Sequence, residues 1–166
     1  RLLDCRTIET NRLKRILNGL DYDFIVIDTA PTYDNLTTNS YLASDVIIIP
    51  STVDAFSHKT VHFLLNKLDS LDVSADIGII LNMFTAGKSD NVKLWSNREA
   101  ALFFEDEKLK ACLMNTTIPR SQTMHRIIAE PDYKIKGKAA ENIIQFVNEI
   151  TGLQLTIDFL GGAYAN

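Results

Sequence analysis

Polar side chains lie directly after apolar runs at three places in this chain, and their types could bind a charged ligand. Asp28 follows the run 24–27, Asn82 closes the run 77–82, and Arg120 follows Pro119 after the run 111–118. Runs without polar alternation are typical of strands buried on both faces of a parallel sheet. Ligands bind outside the carboxyl ends of such strands, where a carboxylate can hold Mg²⁺. Asp28 could instead simply end its strand or cap a turn.

The hydrophobic pattern predicts strands and helices in alternation. Strands are expected over residues 24–27, 45–50, 77–82 and 111–118, and helices over 7–20, 35–43, 57–71, 92–110 and 138–150. Residues 85–90 are polar and predict a loop, and Gly152 is placed to end the last helix. Alternation of this kind indicates βαβ units. We therefore expect an α/β fold in three layers, with a mostly parallel twisted sheet flanked by helices.

Composition indicates one domain of ordinary globular character. The chain has 166 residues, 46% hydrophobic and 23% charged, with a net charge of −4. A net negative charge means that any contact with nucleic acid must come from a local basic patch. Cys5 and Cys112 lie far apart without a C-x-x-C pair, which argues against a zinc site or a disulfide framework. No apolar run approaches the ~18 residues of a membrane span.

An acid at the end of a buried strand is the position at which nucleotide hydrolases hold Mg²⁺. Such proteins also need a G-x-x-x-x-G-K-[ST] loop for the phosphates. These 166 residues contain no such motif, because Asn82 occupies the place of the first glycine before Gly87-Lys88-Ser89. The chain also begins with Arg1. We therefore expect a P-loop NTPase-like fold that is N-terminally incomplete, the carboxyl-terminal portion of a longer protein.

Five segments in order resemble the ParA/MinD family of deviant Walker ATPases, and within it the ParA/Soj partition ATPases. They are YDFIVIDTAP at 22–31, TNSYLASD at 38–45, VIIIP at 46–50, IILNM at 79–83 and TIPR at 117–120. The resemblance extends from about residue 12 to residue 150. It implies one ATPase domain portion over residues 1–152, followed by a tail over 153–166.

The resemblance implies a role for each matching residue. Asp28 is similar to the Walker B acid, which is catalytic and acts on Mg²⁺ through a coordinated water. Thr29 and Pro31 are similar to the switch segment that senses the γ-phosphate. Asn82 matches the adenine-reading position, with a strand-terminal turn residue as the alternative. Pro119 and Arg120 match the loop that closes over the base, although Arg120 could also be a solvated surface charge.

The resemblance also implies cofactors and partners. They are ATP with Mg²⁺, a second copy of the chain in an ATP-bound homodimer, non-specific DNA and a centromere-binding ParB-like protein. The expected DNA-binding residues are Arg126, Lys134, Lys136 and Lys138, with a second basic cluster at Lys88, Lys93 and Arg98. The tail 157–163 has no basic residue, which argues against the membrane-binding branch of the family. The expected location is the cytoplasm, in association with the nucleoid.

Two other functions stay open. Without a phosphate-binding loop, the chain could be a degenerate binding module that does not hydrolyse ATP. It could also belong to a ParA-like ATPase that regulates flagellar placement, cellulose synthesis or conjugation. His58 and His62 are spaced i, i+4 on a predicted helix and could chelate a metal. The sequence indicates no third ligand, so we expect both histidines to lie on the helix surface.

Overall fold

The computed structural model describes residues 12–84, 90–121, 126, 130 and 135–155. The elements in chain order are α1 (Arg12–Leu17), α2 (Asn35–Ala43), β1 (Val46–Ser51), α3 (Ala55–Ser70), β2 (Asp76–Phe84), α4 (Asp90–Glu105), α5 (Glu107–Cys112), β3 (Leu113–Pro119) and α6 (Lys138–Thr151). The predictions for residues 7–11, for the loop 85–89 and for most of the tail lie outside the described residues.

The strands form a three-stranded sheet in the order β1-β2-β3. β2 and β3 run parallel, with Ile79 opposite Leu113 and Asn82 opposite Ile118. The Asp76 N–H donates to the Asp45 carbonyl at 3.0 Å, so β1 and β2 begin at the same end of the sheet. Helices flank these strands, which confirms the predicted α/β class with a parallel sheet.

The chain divides into two compact units. The first unit contains the residues up to Ile47 together with Leu64–Ile77, and α1 packs on α2 within it. The second unit contains Ile48–Phe63 together with the described residues from Gly78 onward. Within this second unit α6 packs on β3 and α4 contacts α5.

Buried apolar side chains follow the period of each element. Ile47 and Ile49 alternate with more exposed neighbours along β1, as expected of a strand. In the second unit the central apolar side chains belong to β2, α4, α5 and α6, and Ile79, Phe103 and Leu109 are fully buried. Burying a side chain of this size stabilises the fold by about 1.5–3 kcal/mol.

The long helix predicted over 92–110 is wrong, because α4 ends at Glu105 and α5 begins at Glu107. Asp106 separates the two helices and caps α5: its carboxylate accepts the backbone N–H groups of Lys108 and Leu109. A short acidic side chain that bonds the backbone N–H groups ahead of it begins a new helix. By contrast, α6 ends at Gly152 in the left-handed conformation, with φ of 70°, as predicted.

The predicted strand over 24–27 is also wrong. Residues 24–30 have no regular secondary structure, and Phe24 and Val26 are 60% and 92% exposed. A strand exists only through hydrogen bonds to a neighbouring strand, and the three-stranded sheet of the described residues does not include this segment. An apolar run is therefore compatible with a strand, but it forms one only where a neighbouring strand is available to pair with it.

Candidate functional site at the carboxyl edge of the sheet

The carboxyl end of β1 continues into a hydrogen-bonded turn that starts α3. One oxygen of Asp54 accepts the Ser57 backbone N–H at 2.8 Å, and the other accepts the Thr52 hydroxyl at 2.5 Å and the Ser57 hydroxyl at 2.8 Å. These hydrogen bonds, that of Thr52 foremost, lower the pKa of Asp54 below its ordinary value. Asp54 was not among the predicted site residues, although Asp three positions before Ser57 resembles a helix-start pattern.

The carboxyl end of β2 turns at Asn82 and Met83. Met83 has a φ of 55°, and its backbone N–H donates to Oδ1 of Asn82 at 2.9 Å. Because the backbone amide is a donor, the atom that faces it must be the oxygen of the side chain. The half-buried Asn82 therefore has Nδ2 as its group for binding an acceptor atom of a ligand.

The carboxyl end of β3 lies beside that of β2. Ile118 pairs with Asn82, Pro119 pairs with Phe84, and the exposed Arg120 follows directly. The structure thus brings together three of the predicted nucleotide-binding residues, Asn82, Pro119 and Arg120. Carboxyl ends of neighbouring parallel strands are the usual place for a ligand in this class of sheet.

Two side chains of α6 bind the backbone of β3. Glu149 accepts the N–H groups of Asn115 at 2.6 Å and of Thr116 at 2.9 Å. Nδ2 of Asn142 donates to the Thr117 carbonyl at 3.0 Å. Partial burial opposes ionisation of Glu149, but the hydrogen bonds from Thr116 and Asn115 outweigh it and lower its pKa. No local sequence pattern predicts these contacts, because the partners lie more than twenty residues apart.

The predicted Walker B segment lies in the first unit. Asp28, Thr29 and Pro31 are exposed and lie outside the strands, in the segment that leads into α2. Asp34 caps α2 by accepting the Thr37 backbone N–H at 2.9 Å, and this hydrogen bond lowers the pKa of Asp34. Asp28 is thus a solvent-accessible carboxylate in the segment before Asp34.

The predicted DNA-binding residues have different surroundings. Arg126 forms two hydrogen bonds with Glu130, at 3.1 and 2.9 Å, and these lower the pKa of Glu130. Lys136 and Lys138 are exposed at the start of α6. Lys134 lies outside the described residues, as do Lys88 and the side chain of Lys93 in the second cluster, whereas Arg98 is exposed.

The side chains of His58 and His62 both lie beside the carboxylate of Asp106. Oδ2 of Asp106 lies 3.3 Å from Nε2 of His58 and 3.0 Å from Nδ1 of His62. The His58 ring also meets the buried Phe103 edge-on, with centroids 5.5 Å apart. Within the part of the chain that the structure describes, no group of three or more His, Cys, Asp or Glu is arranged to hold a metal ion.

Comparisons with known proteins agree with this architecture. A family model described as "AAA domain" (AAA_31) matches residues 3–79. The sporulation initiation inhibitor protein Soj of Bacillus subtilis is 32% identical over 117 residues, 66% of this chain and 44% of Soj. An uncharacterized protein of Methanocaldococcus jannaschii is 38% identical over 65 residues, 38% of this chain and 25% of that protein.

A solved structure shares the fold. It is described as that of a plasmid partition protein from Borrelia burgdorferi B31 bound to AMPPNP, with a TM-score of 0.68 and 24% identity. The match covers 88% of this chain and 58% of that one. The sheet and its flanking helices therefore form an α/β fold similar to that of a P-loop NTPase partition protein structure.

The sequence matches narrow this class further. Together with the AAA_31 match, the similarity to Soj supports the predicted resemblance to the ParA/MinD-type ATPase family. The chain spans less than half the length of the curated relatives that it matches. Among the described residues, none of the helices combines the length and apolar character that a membrane span requires.

Proposed function

We propose that this chain is part of a ParA-type ATPase that acts in plasmid or chromosome partition, and that the chain alone, without a phosphate-binding loop, does not hydrolyse ATP. The protein binds ATP with Mg²⁺, forms an ATP-bound homodimer and associates non-specifically with DNA at the nucleoid, with a centromere-binding ParB-like partner. Similarity to the ParA/MinD-type ATPase family supports this proposal. The structural relative described as a plasmid partition protein, with AMPPNP bound, supports the choice of ATP and of partition.

The observation that carries the proposal is the pairing of Asn82 with Ile118. It brings an amide, a proline and a guanidinium to one edge of the sheet. Nδ2 of Asn82 can donate to a ring nitrogen of a base, and N1 of adenine is such an acceptor, whereas N1 of guanine carries a hydrogen. Pro119 and Arg120 would then border the base.

Asp28 would hold Mg²⁺ in this proposal. It is an exposed carboxylate, and Mg²⁺ is commonly bound through one or two carboxylates while keeping several of its waters, so the residue fits the ion. Thr29 and Pro31 follow directly and would face the terminal phosphate. The ion, when bound, would supply charge neutralisation on the phosphates.

The first test is the reading frame upstream of the codon for Arg1. An in-frame Lys-Gly-Gly-x-Gly-Lys-[Ser/Thr] loop would provide a phosphate-binding site, and Asp28 could then hold the Mg²⁺ of the bound nucleotide. In that product we expect Asp28→Ala to abolish Mg²⁺-dependent ATP hydrolysis, with Asp21→Ala, which removes another exposed loop carboxylate, as the matched control. Turnover close to wild type in Asp28→Ala would remove Asp28 from the mechanism.

A second test measures base selectivity. We expect Asn82→Ala to reduce the preference for ATP over GTP about three- to tenfold, the equivalent of one hydrogen bond of about 0.5–1.5 kcal/mol. Titration of fluorescent ATP and GTP analogues against both proteins measures this ratio. An unchanged ratio contradicts the role of Asn82, and equal ATP and GTP affinity in the wild type contradicts adenine recognition.

DNA association is tested through the exposed lysines. Lys136→Glu with Lys138→Glu should weaken DNA retention, and each lost phosphate contact should reduce the slope of log affinity against log salt by about 0.9. Lys59→Glu with Lys67→Glu, on α3, makes the same charge change elsewhere and is the control. Equal loss in both double variants would indicate a net-charge effect rather than a binding surface.

The second candidate is a binding module that does not hydrolyse ATP. The lack of a G-x-x-x-x-G-K-[ST] motif within these 166 residues favours it for this chain taken alone. A reading frame that starts near Arg1 without such a loop, together with DNA retention and no ATP turnover, would select this function.

A further inference from the structure

The pairing of β2 with β3 contains two irregularities, and the first lies between Ile79 and Leu81 of β2. Ile79 pairs with Leu113, whereas Leu81 pairs with Thr117. Two steps along β2 therefore correspond to four steps along β3, so β3 holds two extra residues in this interval. Such bulges bend a strand and re-aim the residues that follow, and they are frequent next to functional sites.

The extra residues free backbone groups that the ladder would otherwise use. In a regular strand successive N–H groups point to opposite sides, yet Asn115 and Thr116 both donate to the carboxylate of Glu149. Nδ2 of Asn115 reaches the same carboxylate at 3.2 Å. Asn142 binds the next carbonyl, that of Thr117, and lies seven residues before Glu149, on the same face of α6.

Burial alone does not select this register. A one-residue slip turns every side chain to the other face of the sheet, but a slip of two residues keeps each side chain on its face. Continued without a bulge from Ile79 and Leu113, the pairing would put Thr116 opposite Asn82. At Asn82 the two strands would then be displaced by two residues, about 6.6 Å at about 3.3 Å per residue. The second irregularity follows beyond this point, where two steps along β2 from Asn82 to Phe84 correspond to one step along β3.

We propose that Glu149 and Asn142 are positioning residues that hold β3 in the shifted register and thereby place Pro119 and Arg120 beside Asn82. The hydrogen bonds of α6 stabilise only the bulged form, because only there do two successive N–H groups face the helix. The consequence for nucleotide binding rests on the proposed function, whereas the consequence for the register does not.

The test follows the register in the full chain by NMR. In Glu149→Ala we expect the amide hydrogens of Asn115 and Thr116 to exchange at least about tenfold faster, which corresponds to about 1.4 kcal/mol. Asn82 should lose its cross-strand contacts with Ile118 and gain contacts with Thr116. Glu141→Ala, an exposed acid on the same helix, should change neither.

Glu149→Gln keeps the shape of the side chain and one acceptor oxygen, so it remains informative if Glu149→Ala does not fold. Faster exchange with the Asn82–Ile118 contacts intact in either variant overturns the proposal, since Glu149 would then be only a local acceptor. Unchanged exchange overturns it as well. If the register shifts while wild-type protein binds no ATP, the positioning role stands and the proposed function fails.

Discussion

Asp106 is expected to stabilise the second unit in two ways, by capping α5 and by facing two histidines of α3. The substitution Asp106→Asn distinguishes the two contributions. Its Oδ1 accepts the N–H groups of Lys108 and Leu109 at 3.0 and 3.2 Å, while Oδ2 meets His58 and His62. Asp106→Ala removes both contacts. Asp106→Asn keeps an oxygen for the helix cap and removes the negative charge.

The size of the effect follows from these contacts. Loss of an N-cap costs about 1 kcal/mol, within a range of about 0.5–2. Loss of the carboxylate also removes the 3.0 Å hydrogen bond between Oδ2 of Asp106 and Nδ1 of His62, which adds about 0.5–1.5 kcal/mol. We expect Asp106→Ala to lower the free energy of unfolding by about 2 kcal/mol, or Tm by about 4–8 °C for a chain of this length. Asp106→Asn should cost less than half as much.

Urea unfolding followed by circular dichroism measures both variants. Glu107→Ala is the matched control, because it removes an adjacent acid that is 88% exposed, and it should stay within about 0.5 kcal/mol of wild type.

Burial opposes ionisation of Asp106, but hydrogen bonds from Leu109 and His62 lower its pKa below 3.8. A lowered pKa contributes stability above the ordinary value and loses it in acid, so the difference from Asp106→Asn should shrink as the pH falls below about 3.8. Equal destabilisation by Ala and Asn at neutral pH would refute the role of the cap.

Three further outcomes are expected. Asp54→Ala should destabilise by about 1–2 kcal/mol in the same urea assay because it uncaps α3, whereas Asp54→Asn should retain most of the stability; equal values would contradict the capping role. Gly152→Ala should cost about 1 kcal/mol through its φ of 70° alone, since a Cβ there meets nothing within 4 Å, and an unchanged Tm would contradict this. The pKa of Glu149 is lowered, so its contribution is present above pH 4.5 and lost as the pH falls further; the difference in unfolding free energy between wild type and Glu149→Gln should therefore vanish in acid, and a constant difference would contradict the hydrogen bonds.

The elements whose signals are local were predictable from the sequence. Helix α2 has the predicted bounds, 35–43, because Asp34 caps it and the helical pattern ends before Ser44. The end of α6 at Gly152 was predictable for the same kind of reason. The order of strands and helices was sufficient to predict a parallel sheet, and with it the approach of Asn82 to Pro119 at one edge.

Other features depend on contacts between distant residues, and no local pattern contains them. His62 meets Asp106 across 44 positions, and Glu149 meets Asn115 across 34. The strand prediction for residues 24–27 was wrong for a related reason. It rested on apolar composition, which is local, whereas a strand also needs a partner strand from a distant part of the chain.

The sequence by itself thus determined the class of fold, the resemblance to ParA/MinD-type ATPases and the residue types at the strand ends. These follow from periodicity, capping and motif order, which act over a few residues each. Only the tertiary structure decided which runs pair, where β3 bulges and which side chains of α6 bind β3. Strand pairing and helix-to-strand hydrogen bonds join residues far apart in the chain, so their geometry exists only once the chain has folded.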